Sequence, residues 1–172
     1  MCNKPVIEDV SVVPMTIDDI EFILNLKTEE PSIYWGGFSR APDCDALKEY
    51  YTESIGNQIK THLIIKLKDE RVGIISFRIN EEMLCVDYSI NISYRFSGLG
   101  LGVMALNKNI EYLKTRIPAC RKIIVTIGED NKRSHSIFGR AGFILTSEYE
   151  HKTLMSAIHP IVVRFYIWIK EL

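Results

Sequence analysis

The chain contains 172 residues, of which 47% are hydrophobic and 25% charged, close to an average globular composition. Lys and Arg number 21 against 22 for Asp and Glu, so the formal net charge is -1. This balance argues against a protein whose main task is to neutralise nucleic-acid phosphates or to lie on an anionic membrane.

The first third of the chain predicts a strand followed by two helices. Residues 10–15 are mostly β-branched and predict a strand. Thr16, with an acid three residues later, predicts the start of a helix. Pro31 is predicted to end that helix, because proline lacks the N–H donor and restricts the residue before it. The aromatic and glycine-rich residues 34–38 are predicted to form a loop, and residues 43–54 a second helix.

The rest of the chain is richer in strands. Runs of Ile and Val separated by short charged turns predict an antiparallel meander at residues 63–67, 72–79 and 84–92. Three glycines then open a long helix that Pro118 closes. The remaining elements are predicted as a strand at 122–127, a helix at 131–141 and strands at 143–149 and 162–169. This mixture is typical of an α+β fold.

The glycines after the third meander strand suggest an anion-binding loop. Glycine lets the backbone approach a ligand closely, and a helix start offers unpaired N–H groups. A Walker A loop is excluded because the chain has no Gly-Lys pair, and the third glycine of a Rossmann fingerprint would fall on Val103. The coenzyme A pattern [RQ]-x-x-G-x-[GA] is matched by Arg95, Gly98 and Gly100.

A second motif follows one helix and one strand later. It consists of Asn131, Ser134, Phe138 and the pair Gly142-Phe143. With these two motifs in this order, the chain resembles the GCN5-related N-acetyltransferases (GNAT superfamily) over residues 10–169. The resemblance implies the GNAT fold: a mixed, mostly antiparallel sheet of six to seven strands flanked by about four helices, in one domain over residues 1–172. It also implies an N-acetyltransferase with acetyl-CoA as cosubstrate and without a metal.

The resemblance assigns the cofactor site residue by residue. Arg95 would stand at the entry of the loop, and the main-chain N–H groups that cradle the pyrophosphate would be those of Phe96, Ser97, Gly98, Leu99, Gly100 and Leu101. The backbone of Ile90 and Ile92 would bind the pantetheine arm, which Asn131 would also contact. Ser134 lies one helical turn further on, and Phe138 stands where many members have a tyrosine.

That phenylalanine removes the usual candidate for the general acid. Ser134, a water molecule or direct release of the thiolate would have to serve instead. The N–H of Tyr88 or Ile90 would polarise the thioester carbonyl. For the base we expect Asp87, placed two residues after Cys85 and therefore on the same strand face. Cys85 has no activating histidine nearby in sequence, so direct attack by the amine is expected rather than an acetyl-enzyme.

The resemblance places the acceptor beneath the first two helices and beside the loop between the last strands. The first region supplies Tyr34, Trp35, Phe38 and Arg40, and the second supplies Glu150, His151, Lys152 and His159. We expect a small amine or a nucleotide-linked amino sugar as acceptor. The alternatives are a protein N-terminus of the ribosomal-protein type, or a coenzyme A-binding sensor or scaffold without turnover.

The expected cellular setting and partners rest on the lack of apolar segments and of paired cysteines in the sequence. There is no apolar stretch typical of a signal peptide or a membrane helix, and the four cysteines form no C-x-x-C pair. A cytoplasmic monomer or homodimer is therefore expected, with neither nucleic acid nor membrane as partner. The histidines show no metal-type spacing, and each is expected at the surface: His62, His135, His151 and His159.

Overall fold

The computed structural model describes residues 4–36, 40–57, 60–155 and 160–172. Its strands are β1 (Val10–Pro14), β2 (Thr61–Leu67), β3 (Glu70–Ile79), β4 (Leu84–Ile92), β5 (Lys122–Gly128), β6 (Ile144–Met155) and β7 (Pro160–Glu171). They form one sheet in the order β1-β2-β3-β4-β5-β7-β6. Only β4 and β5 are parallel, and all other neighbours are antiparallel. The predicted α+β class and the meander are confirmed.

The helices cover both faces of the sheet. They are α1 (Ile20–Lys27), α2 (Glu30–Trp35), α3 (Cys44–Asn57), α4 (Leu101–Arg116) and α5 (Lys132–Arg140). One hydrophobic cluster joins the sheet to α4 and α5, and a second cluster joins the opposite face to α1 and α3. Among the described helices, none has the length and apolarity needed to cross a bilayer.

The segment after α1 differs from the prediction. Pro31 does not end α1, which stops at Lys27; it lies in the first turn of α2. Proline is tolerated there, because the first N–H groups of a helix have no partner within the helix in any case. Tyr34 and Trp35 are therefore helical rather than part of a loop. Phe38 lies outside the described residues.

Two of the histidines that were expected at the surface are not exposed. His62 is buried against α3, and its Nδ1 lies 2.7 Å from the Ser76 hydroxyl. Burial lowers the pKa of His62 to about 4, so its ring is neutral at pH 7. His135 is half-buried and accepts a hydrogen bond from the Trp168 indole at 3.2 Å. His151 is exposed as expected, whereas His159 lies outside the described residues.

The parallel pair in the middle of the sheet is very short. Only Leu84 with Lys122 and Cys85 with Ile123 are paired between β4 and β5. The two strands then separate, although β4 continues to Ile92. The sheet therefore contains a gap between strands at its centre.

The start of the first helical segment is held by a buried carboxylate. Asp19 accepts hydrogen bonds from the Thr16 N–H at 2.7 Å and from the Arg71 Nε at 2.6 Å. Burial alone would raise the pKa of Asp19, but these hydrogen bonds lower it below its usual range. The charged carboxylate therefore stabilises the fold at neutral pH.

We expect Asp19→Asn to lower the free energy of unfolding by about 2–3 kcal/mol at pH 7, because hydrogen bonds to a charged group are lost. Since the folded pKa lies below the unfolded value of about 3.9, this contribution is complete above pH 5 and declines as the pH falls through the folded pKa. Urea denaturation should therefore show a smaller difference at pH 3. Asp18→Asn, at an exposed neighbour, should change stability by less than about 0.5 kcal/mol, and equal losses in both variants would contradict the assignment.

Candidate active site

A cavity of about 210 Å³ lies beside the second half of β4, beyond its short pairing with β5. On one face of the sheet it is lined by Ile90, Ile92, Gly102, Asn131, Ser134, Ile137 and Phe138. On the other face it is lined by Lys27, Glu29, Pro31, Ser32, Trp35, Ser89 and Asn91. The cavity thus reaches through the gap from α5 on one side to α2 on the other.

The glycine loop lies between the end of β4 and the start of α4. A short 3-10 turn covers Tyr94–Phe96, and the backbone then passes through Gly98 and Gly100, with φ of 80° and 79°. Only glycine adopts this left-handed region readily, which explains the residue type at both positions. The helix α4 begins directly afterwards, at Leu101.

This loop fits the pyrophosphate of coenzyme A. Among the described residues, no acceptor is found for the N–H groups of Gly98, Leu99 and Gly100. The Ser97 hydroxyl is buried and likewise has no partner in the described part of the chain. A Cβ built on Gly98 would have no atom within 4 Å, so the space beside it is open to a ligand. Unpaired N–H groups at the start of a long helix are suited to binding an anion.

Other predicted cofactor residues have structural contacts that the sequence did not show. Arg95 is exposed, pairs with Glu70 at 3.3 Å and lies over the Phe96 ring at 5.3 Å. Asn131 caps α5 by accepting the Ser134 N–H at 3.1 Å. The side chains of Asn131 and Ser134 also line the cavity, so the capping contact and a contact with pantetheine are compatible.

A bulge in β4 determines which side chains point to the face of the sheet covered by α1 and α3. Ser76 pairs with Ser89 and Arg78 with Val86, so two residues of β4 lie opposite a single residue of β3. Asp87 is at the bulge and has a φ of 52°. The expectation that it shares a face with Cys85 is therefore wrong, because the extra residue breaks the strict alternation of the strand.

The bulge places Asp87 on the face of the sheet covered by α1 and α3. Its carboxylate accepts a hydrogen bond from the Arg78 Nε at 2.8 Å, and more than half of the side chain is exposed. Arg78 follows Ser76 by two residues on a regular strand, so both point to the face covered by α1 and α3. Asp87 also lines a second cleft on this face, together with Thr126, Glu150 and others.

Cys85 points into the opposite cluster, between the sheet and α4. It is fully buried, and burial raises the pKa of its thiol, so the reactive thiolate is disfavoured. Cys85→Ala should therefore retain acetyl transfer within about tenfold of the wild type, with some loss of stability from the vacated space. Steady-state rates and intact mass after incubation with acetyl-CoA measure this. An acetylated cysteine, or a loss beyond roughly a hundredfold, would contradict it.

Phe138 is 2% exposed and packs edge-to-face on Phe143 and on Tyr88. The Tyr88 hydroxyl accepts a hydrogen bond from the Asn109 amide at 2.9 Å. Complete burial raises the pKa of Tyr88 well above its usual value, so this hydroxyl is a poor proton donor to a thiolate. The side chain of Tyr88 therefore belongs to the core. Only the main-chain N–H of Tyr88 remains a candidate for polarising the thioester carbonyl.

The predicted acceptor residues lie at two different places, the cavity and the second cleft. Trp35 is 43% exposed and lines the cavity from α2. Tyr34 is exposed and packs edge-to-face on Trp35, with 4.8 Å between the ring centroids. Glu150 and Lys152, on β6, pair with each other at 2.8 Å and line the second cleft. No group of three His, Cys, Asp or Glu side chains suited to a metal is found in the described ranges.

Comparison with known proteins supplies the family. The sequence model of the Acetyltransferase (GNAT) family matches residues 21–143. The chain belongs to the GNAT family. It is an acetyltransferase that uses acetyl-CoA, as the resemblance implied. No curated protein sequence matches the chain.

Solved structures agree on the fold. Spermidine N-acetyltransferase from Vibrio cholerae, in complex with CoA and spermine, superposes with a TM-score of 0.80 at 16% identity, covering 95% of this chain and 96% of that one. The microcin self-immunity acetyltransferase, in complex with acetyl-CoA and AMP, gives 0.76 at 17%, covering 96% and 93%. A ribosomal-protein alpha-N-acetyltransferase gives 0.79 at 13%, covering 98% and 93%. At these identities the likeness shows the GNAT fold and leaves the acceptor open.

Several residues around the cavity had no sequence signal. Lys27, Glu29, Ser32 and Asn91 belong to no motif, and they meet only because α2 folds over the end of β4. Burial lowers the pKa of Lys27, which lines the α2 side. Proline suits a first helical turn, so Pro31 is a sequence signal for α2 but not for the contacts of that helix.

Proposed function

We propose that this GNAT enzyme transfers the acetyl group of acetyl-CoA to the primary amine of a small molecule, by direct attack in a ternary complex. The observation that carries the proposal is the continuous cavity through the gap between β4 and β5. A thioester entering from the α5 side and an amine entering from the α2 side can meet in that gap. Such an arrangement favours direct transfer, because bound partners held in contact need no covalent enzyme intermediate.

Each step has a candidate group in this proposal. The N–H groups of the glycine loop bind the pyrophosphate, and the backbone of Ile90 and Ile92 binds the pantetheine arm. The N–H of Tyr88 or Ile90 stabilises the negative charge that develops on the thioester oxygen. Asp87, which lines the second cleft on the face covered by α1 and α3, accepts the proton of the attacking amine. Ser134, beside the cavity, or a water molecule returns a proton to the thiolate.

Three features support a small acceptor. The cavity is below the size of typical drug-sized pockets, which hold about 300–1,000 Å³. Trp35 offers an aromatic ring on the acceptor side, and Lys27 offers a cation near it. A ring and a cation suit a nucleotide-linked amino sugar. Two proteins of similar fold were solved with small molecules, the spermidine acetyltransferase with spermine and the microcin enzyme with AMP.

The test is thiol release from acetyl-CoA with a panel of amines. The panel contains a polyamine, an aminoglycoside, a nucleotide-linked amino sugar and a peptide with a free N-terminus. We expect one of the small amines to give kcat/KM at least roughly a hundredfold above the peptide, within the usual enzymatic range. Preference for the peptide would replace this proposal by the protein N-terminal alternative, and turnover of none would favour a coenzyme A-binding module.

Trp35→Ala should raise the KM for the acceptor roughly ten- to a hundredfold. Stacking of a planar group on an aromatic ring contributes about 1–3 kcal/mol, which corresponds to this factor. The KM for acetyl-CoA should change less than about threefold, because Trp35 is on the α2 side of the gap. Initial rates at varied concentrations of each substrate give both constants.

The matched control is Tyr50→Ala, which removes a ring of nearly the same exposure from α3, outside the cavity. It should leave both KM values unchanged. A Trp35→Ala variant that loses thermal stability and both affinities together would show that Trp35 supports the fold, and the acceptor assignment would fail.

A further inference from the structure

The helix α2 is attached to the end of β4 by side chains far apart in sequence. The Glu29 carboxylate accepts hydrogen bonds from the Ser93 hydroxyl at 2.6 Å and from the Tyr94 N–H at 2.8 Å. Ser32 and Asn91 exchange two further hydrogen bonds, at 2.9 and 3.3 Å. These contacts fix the first turn of α2 to the strand end that leads into the glycine loop.

The attachment point is the entry of the cofactor loop. Ser93 is 5% exposed, and its hydroxyl also accepts the Arg95 N–H at 3.4 Å, so it begins the 3-10 turn before the glycines. Glu29 therefore contacts the hydroxyl and the N–H that shape this turn. Hydrogen bonds to a carboxylate are among the stronger ones in proteins, so the contact is well suited to hold one conformation.

The other end of the same helix is on the acceptor side. Glu29 immediately precedes α2, which has six residues and ends at Trp35. At 1.5 Å per residue such a helix is about 9 Å long. One short helix therefore connects the entry of the glycine loop to the cavity wall at Trp35.

We propose that Glu29 is a positioning residue that couples the acetyl-CoA loop to the acceptor wall, so that each substrate favours binding of the other. The part concerning the acceptor rests on the proposed function, which places the amine beside Trp35. Bound coenzyme A stabilises one conformation of the glycine loop. In that conformation Ser93 and Tyr94 hydrogen-bond to Glu29, and Glu29 keeps α2 in place over the gap. Coupling between two sites is reciprocal, so the acceptor must tighten coenzyme A by the same factor.

A test that needs no acceptor uses coenzyme A alone. Hydrogen exchange is measured at the Gly36 amide, which donates to the Ser32 carbonyl at 2.9 Å and reports on α2. In the wild type, saturating coenzyme A should slow this exchange roughly tenfold, within the usual range of coupling. In Glu29→Gln, where an NH2 group replaces one accepting oxygen, the Kd for coenzyme A should rise roughly tenfold, and saturation should slow the exchange less than about twofold.

The matched control is Glu30→Gln, which removes the same charge from the adjacent exposed residue. It should behave as the wild type in both measurements. If Glu29→Gln does not fold, Ser93→Ala removes the same contact from the other partner and should give the same loss of coupling. Wild-type slowing of exchange in both Glu29→Gln and Ser93→Ala would overturn the proposal, even with a weaker Kd, because Glu29 would then only support the loop.

The acceptor part is tested with the amine that the panel identifies. Saturating amine should lower the Kd of coenzyme A several-fold in the wild type and leave it unchanged in Glu29→Gln. An equal effect in both proteins would overturn the coupling. If no amine is turned over, the proposed function fails, while the exchange measurement still decides whether Glu29 links the loop to α2.

Discussion

Gly98→Val is expected to raise the Kd for acetyl-CoA at least roughly a hundredfold while the protein remains folded. The φ of 80° at Gly98 is strained for any residue with a Cβ and is an outlier for a β-branched one. The open space beside Gly98 is also where the pyrophosphate would lie, so the new side chain competes with the ligand. Isothermal titration with acetyl-CoA and a melting curve measure the two effects.

A matched control separates backbone strain from loss of the site. Gly142 has nearly the same φ, 78°, but follows α5 and is absent from the cavity wall. Its Cβ would meet only the end of the flexible Lys170 side chain. Gly142→Val should therefore lower the melting temperature and leave the Kd for acetyl-CoA unchanged. If Gly98→Val binds acetyl-CoA like the wild type, the loop is not the pyrophosphate site.

Asp87→Asn is the second substitution with a large expected effect. General base catalysis contributes typically 10²–10⁴-fold, so kcat/KM at pH 7 should fall at least roughly a hundredfold. Asparagine tolerates the left-handed backbone of the bulge and keeps the shape of the side chain, so folding should be preserved. The Kd for acetyl-CoA should be unchanged. Pre-steady-state and steady-state rates with the best amine of the panel measure the loss.

The control for Asp87 is Glu171→Gln, which is also paired with a cation, Lys122 at 2.9 Å, and lines neither the cavity nor the second cleft. It removes an equal charge from β7 without touching the bulge. We expect its kcat/KM to stay within about threefold of the wild type. Equal losses in the two variants would indicate a general electrostatic effect on the amine, and full activity of Asp87→Asn would remove Asp87 from the mechanism.

The sequence predicted the features that depend on local pattern. The meander follows from runs of β-branched residues. The glycine loop follows from closely spaced glycines, which are required where the backbone adopts a left-handed conformation. Gly98 and Gly100 do adopt left-handed conformations, and α4 begins where the pattern places it. The Asn131 motif likewise falls at the start of α5, where an asparagine caps the helix.

The failures depend on single residues or on distant contacts. One extra residue in β4 turns the Asp87 side chain to the opposite face of the sheet. The hydrophobic pattern of the strand does not indicate that bulge. Proline is compatible with both a helix end and a first helical turn, so the sequence around Pro31 does not distinguish the two. Glu29 contacts Ser93 across 64 positions of sequence, so nothing near either residue indicates the contact.

In the proposed mechanism, both substrates meet in the gap between β4 and β5 and react directly. Initial velocities at varied acetyl-CoA and varied amine test it most directly, combined with exchange of labelled coenzyme A into acetyl-CoA in the absence of amine. Direct transfer in a ternary complex predicts intersecting double-reciprocal lines and no exchange without the amine. Parallel lines, together with exchange in the absence of amine, would show an acetyl-enzyme and contradict it.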